Sequence, residues 1–457
     1  MNLERTERHS NRGFAWLLGF LLLLIFCRYA LQINIPRILF LVILALMAVR
    51  GTQTQLIAIC ICMIPLHESV DFYYSLVICA VIYVMKFYRR IRINLATLLV
   101  LTLIVWELLH CFSPDMSLVN MIIPVVPLLV LALFMSSDLS ELDYGFVVRS
   151  FAFATVAICI TMFGQVLYWC GFSFVKAVLQ LRRLGVVLET SGKSSGITGG
   201  TIQTNSLGII CVLAATGLLQ LRSAQDKRKA DPMLMLTLLT FGALTSSRTF
   251  LVCLALMVFL MILGQNGGFR KKFRFLCSIA AMVILVVLLM NLFFPQLLEY
   301  YISRFSDKDI TTGRDVLMMK YHQFITRNPR VMFFGIGLQD YGEKLTEGYR
   351  IASNVPHNSL QEVVIAWGLP GLILCGALVV TVVFVSGKQK NRHMLLNYVP
   401  LVILLFKSMA GQMLTSGYSM LAVSYAYLSL CQDFRPEGQK SYVILQSSGY
   451  DNLKRPG

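Results

Sequence analysis

The sequence predicts an all-α polytopic membrane protein, and three observations predict it. Hydrophobic residues make up 57% of the chain and charged residues only 14%, against roughly a quarter charged in soluble domains. Apolar runs approach, again and again, the roughly 20 residues that cross a bilayer as a helix. The densest Lys and Arg clusters fall at alternate links between these runs, as the positive-inside rule requires. The net charge of +17 would point to nucleic acid in a soluble protein. Here most positive charges sit in short links where they orient helices, so no nucleic-acid partner is predicted.

Taken in order, the runs give about fourteen spans at that crossing length. Arg5, Arg8 and Arg12 put the N-terminus in the cytoplasm, ahead of a first span at 14–31. That run lacks a small-residue cleavage site and is longer than a signal-peptide core, so it is read as a span. Spans at 36–49 and 54–66 join at Arg50-Gly51. A span at 71–86 ends in Lys86, Arg89, Arg90 and Arg92, a cytoplasmic marker. Spans at 95–112 and 117–136 join outside at Ser113-Pro114-Asp115. The link 137–147 is acidic, but acidic residues count little for orientation.

A span at 148–170 leads to an outer loop, Gly171–Gly200, and a span at 201–221 returns to Arg222, Lys227, Arg228 and Lys229. Spans at 233–246 and 249–264 form a tight hairpin with Ser246-Ser247-Arg248 at its outer tip. Arg270, Lys271, Lys272 and Arg274 mark the cytoplasm again before a span at 275–294. Spans at 364–386, 394–411 and 418–432 complete the set, with Lys388, Lys390 and Arg392 inside. The tail from Gln432 is polar. No internal repeat and no Walker A motif is visible.

The long polar segment Phe294–Gly371 stands apart. Connections of this length are uncommon and usually functional or disordered. Periodic apolar residues and several aromatics predict that it is folded and mostly helical. Thr311-Thr312-Gly313 followed by Asp315 has the pattern of a helix start, predicting an amphipathic helix from Arg314 to Arg327. The chain therefore divides into N-terminal helices at 1–147, helices bearing substrate-binding arginines at 148–294, an extracytoplasmic loop at 295–363, C-terminal helices at 364–432 and a cytoplasmic tail at 433–457.

The twelve cysteines fall almost all inside apolar runs. Cys60 and Cys62 are too close together for a zinc pair, so neither a disulfide nor a metal site is predicted. The informative charges are basic residues that break the positive-inside pattern, among them Arg182, Arg183, Arg248 and Arg314. An arginine fork suits two phosphate oxygens at once, although a solvated loop or lipid contact would account for many such residues singly. Arg248, flanked by apolar runs and two serines, is placed for burial against an anionic ligand or a carboxylate. Arg314 at a helix start adds to a site that already favours anions. His357, in Asn354-Val355-Pro356-His357-Asn358-Ser359, can take a proton near neutral pH and is a candidate general base. Lys407 and Glu107, near outer helix ends, support the site or simply snorkel.

From about 180 to 385 the chain resembles the O-antigen ligase and O-antigen polymerase superfamily. The matching pieces run in order: Gly199-Gly200-Thr201-Ile202-Gln203-Thr204-Asn205, Ser247-Arg248, Gly313-Arg314, Asn328-Pro329 leading to Phe334-Gly335-Ile336-Gly337, His357-Asn358-Ser359-Leu360-Gln361, and Trp367-Gly368-Leu369-Pro370-Gly371. Each is short, and their order and common membrane face make the set specific. One departure is Met318-Met319, where the family often has Trp a few residues after the Gly-Arg.

The resemblance implies a GT-C-like membrane glycosyltransferase of the bacterial cytoplasmic membrane, with both termini inside and its site on the outer face. Its donor would be an undecaprenyl-pyrophosphate-linked oligosaccharide, its acceptor another lipid-linked repeat unit, with no cofactor or metal. Membrane lipid, a chain-length regulator and a flippase would be its neighbours. His357 would be the base, with Arg248 and Arg314 on the pyrophosphate. Asn205, Arg182, Arg183, Asn358 and Lys407 would bind substrate. An O-antigen ligase, passing the glycan to lipid A core or another acceptor, stays open. So does a flippase of lipid-linked sugars, although that class gains nothing from candidate residues gathered on one face.

Overall fold

A computed structural model describes residues 2–110, 122–180, 183–185, 202–224, 226, 228–264, positions scattered between 270 and 303, 314–339, 341–351, 356–387, 394–414 and 416–432. Among these residues the chain is helical, with a lone bridge between Ile91 and Ser137 and no strand. The N-terminal helices are α1 (Asn2–Tyr29), α2 (Arg37–Arg50), α3 (Gln53–Leu66), α4 (Phe72–Phe87), α5 (Leu95–His110) and α6 (Val126–Ser136). Then come α7 (Tyr144–Trp169), α8 (Phe174–Gln180), α9 (Thr204–Ser223), α10 (Asp231–Leu244) and α11 (Arg248–Gly264). The C-terminal part holds α12 (Arg314–Arg327), α13 (Pro329–Phe334), α14 (Ser359–Gly387), α15 (Met394–Ala410) and α16 (Gly417–Leu430).

The helix ends follow local chemistry. Thr52 and Gln55 form a reciprocal capping box that starts α3. The Asp143 carboxylate accepts from Phe146 N at 2.9 Å to start α7. Pro232 occupies the first turn of α10, where its missing N–H costs nothing. The expected outer loop 171–200 contains one short helix, α8; its remainder from 186 lies outside the described residues. So do the tail beyond 432 and most of the span expected at 275–294, whose described positions are helical.

Among the described residues, five helical stretches are long and apolar enough to cross a membrane: Asn11–Tyr29, Phe72–Arg90, Tyr144–Trp169, Thr204–Ser223 and Ser359–Phe384. The other apolar helices are shorter. Gln53–Leu66, for example, has 14 residues, giving about 21 Å at 1.5 Å per residue against a hydrocarbon core of about 30 Å. The chain is thus a helical membrane protein. Among the described residues its helices sit where the apolar runs predict, and length and composition alone carry five crossings.

Burial separates two kinds of helix. In α3 every residue from Gln55 to Leu66 is buried, and α9 and α16 are buried almost throughout. Helices apolar on every side belong inside a bundle, and α3 packs against α7 and α16. Large apolar side chains such as Trp16, Val49, Met85 and Ile373 instead face outward, which suits hydrocarbon better than water.

Polar contacts collect at the two ends of this bundle. At one end, Gln220 of α9 accepts from the Tyr144 hydroxyl and donates to Leu396 O and Ser429 Oγ. There too Arg149 grips Asp226 and Asp231 at 2.9 and 3.0 Å. The opposite end holds the ends of α3, α5 and α15 and the starts of α9, α11, α14 and α16.

Candidate active site

The turn between α10 and α11 is the centre of this second end. Thr245, Ser246 and Ser247 are all buried, and Ser246 takes a positive φ of 49°. The turn closes tightly because Gly242 leaves room for the Phe250 ring, which a Cβ there would meet at 2.2 Å. The Ser247 hydroxyl accepts from Phe250 N at 3.3 Å, capping α11, and donates to Asn205 Oδ1 at 2.8 Å. Arg248 follows as the first residue of α11, half-buried.

Arg183 completes the cluster. Its side chain is buried; Nε donates to Thr245 O at 3.2 Å and Nη2 to Asn205 Oδ1 at 3.4 Å. The backbone is pinned alongside, with Leu184 N donating to Leu244 O at 2.9 Å. Gly185, at φ +113°, lies so close to Ile202 O that a Cβ would come within 2.9 Å. The structure therefore brings Arg183, Asn205 and Ser247-Arg248 together from three segments. Arg182, proposed alongside Arg183, lies outside the described residues.

One residue along α9, Ser206 faces a second group. Its hydroxyl bonds that of Tyr418, which also contacts Lys407. Lys407 is buried, its ammonium 4.4 Å from the Tyr418 ring centre and bonded to Ser419 Oγ. Among the described residues no carboxylate pairs with it. The Tyr418 ring also packs against His67, with ring centres 4.8 Å apart, and His67 Nδ1 lies 2.8 Å from Ile64 O. Burial pushes the His67 imidazole down to about 4, with the Ile64 carbonyl pulling the other way and the Lys407 charge adding to the fall. At neutral pH this ring is uncharged. Sequence reasoning passed over His67 and Tyr418, since an isolated His at a helix end and a Tyr in an apolar run carry no pattern.

His357 is half-buried and stands just before α14. Asn358 has a structural duty: its Oδ1 accepts from Leu360 N at 2.9 Å and Gln361 N at 3.3 Å, capping that helix. The first turn is tied to the link between α15 and α16. Ser359 Oγ donates to Gly411 O at 2.8 Å, and the buried Glu362 accepts from Met413 N at 2.7 Å and Leu414 N at 3.0 Å. Gln361 Nε2 donates to Met318 O at 2.8 Å, so α12 is tied to the same turn. Arg314 is the first residue of α12, and that helix has the bounds its sequence predicts. Its side chain and the residues before it lie outside the described ones.

The glycine motifs prove to be architectural. Helix α14 breaks at Gly368, φ +68° and ψ −168°. Into the break fits Gly335-Ile336-Gly337, whose glycines also take positive φ, 82° and 77°. Ile336 N donates to Ile365 O at 2.9 Å and Gly337 N to Ala366 O at 2.8 Å. A Cβ on Gly335 would come within 2.3 Å of Ala366 O, and one on Gly368 within 2.4 Å of Phe333 O. From α5, Trp106 Nε1 donates to Trp367 O at 2.9 Å and His110 Nε2 lies 2.6 Å from Phe334 O. The fully buried Glu107 accepts from Leu338 N at 2.8 Å and from Trp367 Nε1 at 2.6 Å. Glu107 therefore does not snorkel; it closes this joint.

Fold and site thus define a helical membrane protein with a buried, cation-rich polar end. Residues 233–376 match a family model described as O-antigen ligase. The match supports the O-antigen ligase and polymerase family, a glycosyltransferase-like group, for this chain. It spans less than half of the chain, yet it takes in Arg248, Arg314, both glycine motifs and His357. No curated protein matches the chain.

Proposed function

We propose that the protein is a polysaccharide polymerase. It would move an undecaprenyl-pyrophosphate-linked glycan onto a hydroxyl of another lipid-linked repeat unit, at the outer face of a bacterial cytoplasmic membrane. One observation carries this reading: Arg183, Asn205 and Ser247-Arg248 converge at one end of the bundle, and Ser206, one residue further along α9, reaches buried Lys407 of α15 through the Tyr418 hydroxyl. Buried cations need an anionic partner or a strong set of acceptors, and a pyrophosphate supplies the anion. In this reading both termini lie in the cytoplasm, the fourteen apolar runs cross or enter the bilayer, and the segment 295–363 lies outside.

The chemistry follows from charge. The acceptor oxygen attacks the anomeric carbon opposite the pyrophosphate, and the bond from that carbon to the phosphate oxygen breaks. The anomeric centre inverts. His357 takes the hydroxyl proton, as a group that titrates near neutral pH can. The negative charge gathering on the departing carrier pyrophosphate falls to Arg248 and Arg314, the kind of electrostatic stabilisation that often dominates catalysis. Lys407, Arg183 and Asn205 hold the phosphates and Asn358 keeps the His357 helix end in place. These cations do the work, so the reaction needs neither metal nor nucleotide sugar.

The test is a glycan ladder from cells lacking the protein, complemented with wild type, His357→Ala or Arg248→Ala. A long polymer with wild type and a single lipid-linked repeat with either variant supports the polymerase. Polymer that forms without the protein but stays on its carrier makes it a ligase, the activity for which the matched family model is described. Repeat units accumulating on the cytoplasmic side would replace both with a flippase.

A further inference from the structure

The joint at Gly368 draws on residues far apart in the chain. Glu107 belongs to the N-terminal helices, outside the segment that matches a known family. Its partners Leu338 and Trp367 lie 231 and 260 residues away. One carboxylate therefore holds both sides of the joint: the loop that follows α13 and the last turn of the half-helix 359–367. The neighbouring Trp106 grips the same turn through Trp367 O. At the other end of that half-helix stand His357 and the Glu362 and Ser359 ties to 411–414. A nine-residue helix pinned at both ends behaves as a rigid rod about 13 Å long, so its position at one end sets the position of the other.

We propose that Glu107 is a positioning residue for the transferase site, acting through the indole N–H of Trp367 and the amide of Leu338. A mere space-filler at this spot would not need an acceptor on both oxygens. Both facing groups are N–H donors, and a carboxylate alone among side chains of this length offers two acceptor oxygens and no donor. Glutamine keeps the length and shape but turns an NH2 against one of these donors. The inference rests on the proposed transfer reaction for its readout, but not on the choice of His357 as base.

The experiment uses the full chain in membranes and the lipid-linked glycan extracted from cells lacking the protein, titrated as substrate. Glu107→Gln is expected to lower turnover at least tenfold, with the apparent KM within twofold of wild type. Adding Trp367→Phe removes the clashing donor, so the double variant recovers at least threefold over Glu107→Gln although it loses a packed ring. Glu107→Ala gains nothing from Trp367→Phe. Size-exclusion profiles in detergent confirm that each variant is folded. The proposal is overturned if Glu107→Gln matches wild type, if the double variant is no better than Glu107→Gln, or if the loss lies in KM. If His357→Ala turns over normally while the Glu107 series behaves as expected, the base assignment falls and Glu107 keeps its role. If wild type itself shows no transfer, the polymerase reading falls first.

Discussion

Replacing Gly335 with alanine tests the joint at its tightest point. The added Cβ would sit 2.3 Å from Ala366 O, 2.6 Å from Ala366 C and 2.7 Å from Trp367 N, all backbone atoms that no side-chain rotation can move. Gly335 also has φ +82°, a conformation that costs an L-residue on the order of 1–2 kcal/mol. Pushing the loop away breaks the bonds from Ile336 N and Gly337 N to the opened turn of α14, each worth about 1 kcal/mol net. The sum is about 3–4 kcal/mol. Gly376, further along the same helix, has nothing within 4 Å of its would-be Cβ. Alanine there should be neutral or stabilise by up to about 1 kcal/mol. Thermal unfolding in detergent should therefore show Gly335→Ala several degrees below wild type and Gly376→Ala level with it or above. Gly368→Ala strikes the same interface from the other side; the lost contacts are shared while each φ penalty is local, so the two glycine variants combined should cost more than either but less than their sum. A Gly335→Ala protein as stable as wild type would refute the close backbone approach.

Two further outcomes separate charge from packing. Lys407→Met keeps the length of the side chain while removing its buried charge, so thermal stability should hold or rise while polymer in the glycan ladder disappears, because burying a cation without a carboxylate beside it costs free energy; loss of both would make the lysine structural. The stability of the folded protein should also fall in acid through His67. Unfolded, this imidazole binds a proton below about 6.5, but folded only below about 4. Protons thus favour the unfolded state between those values, so the His67 contribution is complete above 6.5 and fades as the pH drops toward 4. The loss amounts to at most about 3 kcal/mol, and His67→Gln should flatten that part of the stability profile.

The helices were legible because apolar runs and basic links are strong, local signals. The helix Arg314–Arg327 was readable from its Thr-Thr-Gly start with Asp315 in the first turn and from its amphipathic pattern. The break in α14 was not. Residues 363–384 are apolar on both sides of Gly368, so periodicity does not change there, and the span expected at 364–386 begins inside what is one interrupted helix. Arg182 and Arg183 are indistinguishable by sequence; only the fold shows Arg183 buried against Thr245 and Asn205. Glu107 could be noticed as a charge in an apolar run, but its partners are more than two hundred residues away, and no local pattern points to them. The resemblance sets Asn358 among the substrate-binding residues; only the fold shows that its Oδ1 also caps α14.

The opened turn of α14 has a bearing on how the chain is made. Its exposed carbonyls at Ile365, Ala366 and Trp367 are answered by Ile336, Gly337 and Trp106, and in hydrocarbon an unanswered carbonyl is expensive. During synthesis, α5 emerges long before α14 and the loop just before it, so the donors are waiting when the acceptors arrive. A hybrid that moved residues 233–376 into a scaffold whose α5 carried neither residue would reverse that provision. Its broken helix would then reach the bilayer without the tryptophan and the carboxylate that finish it here.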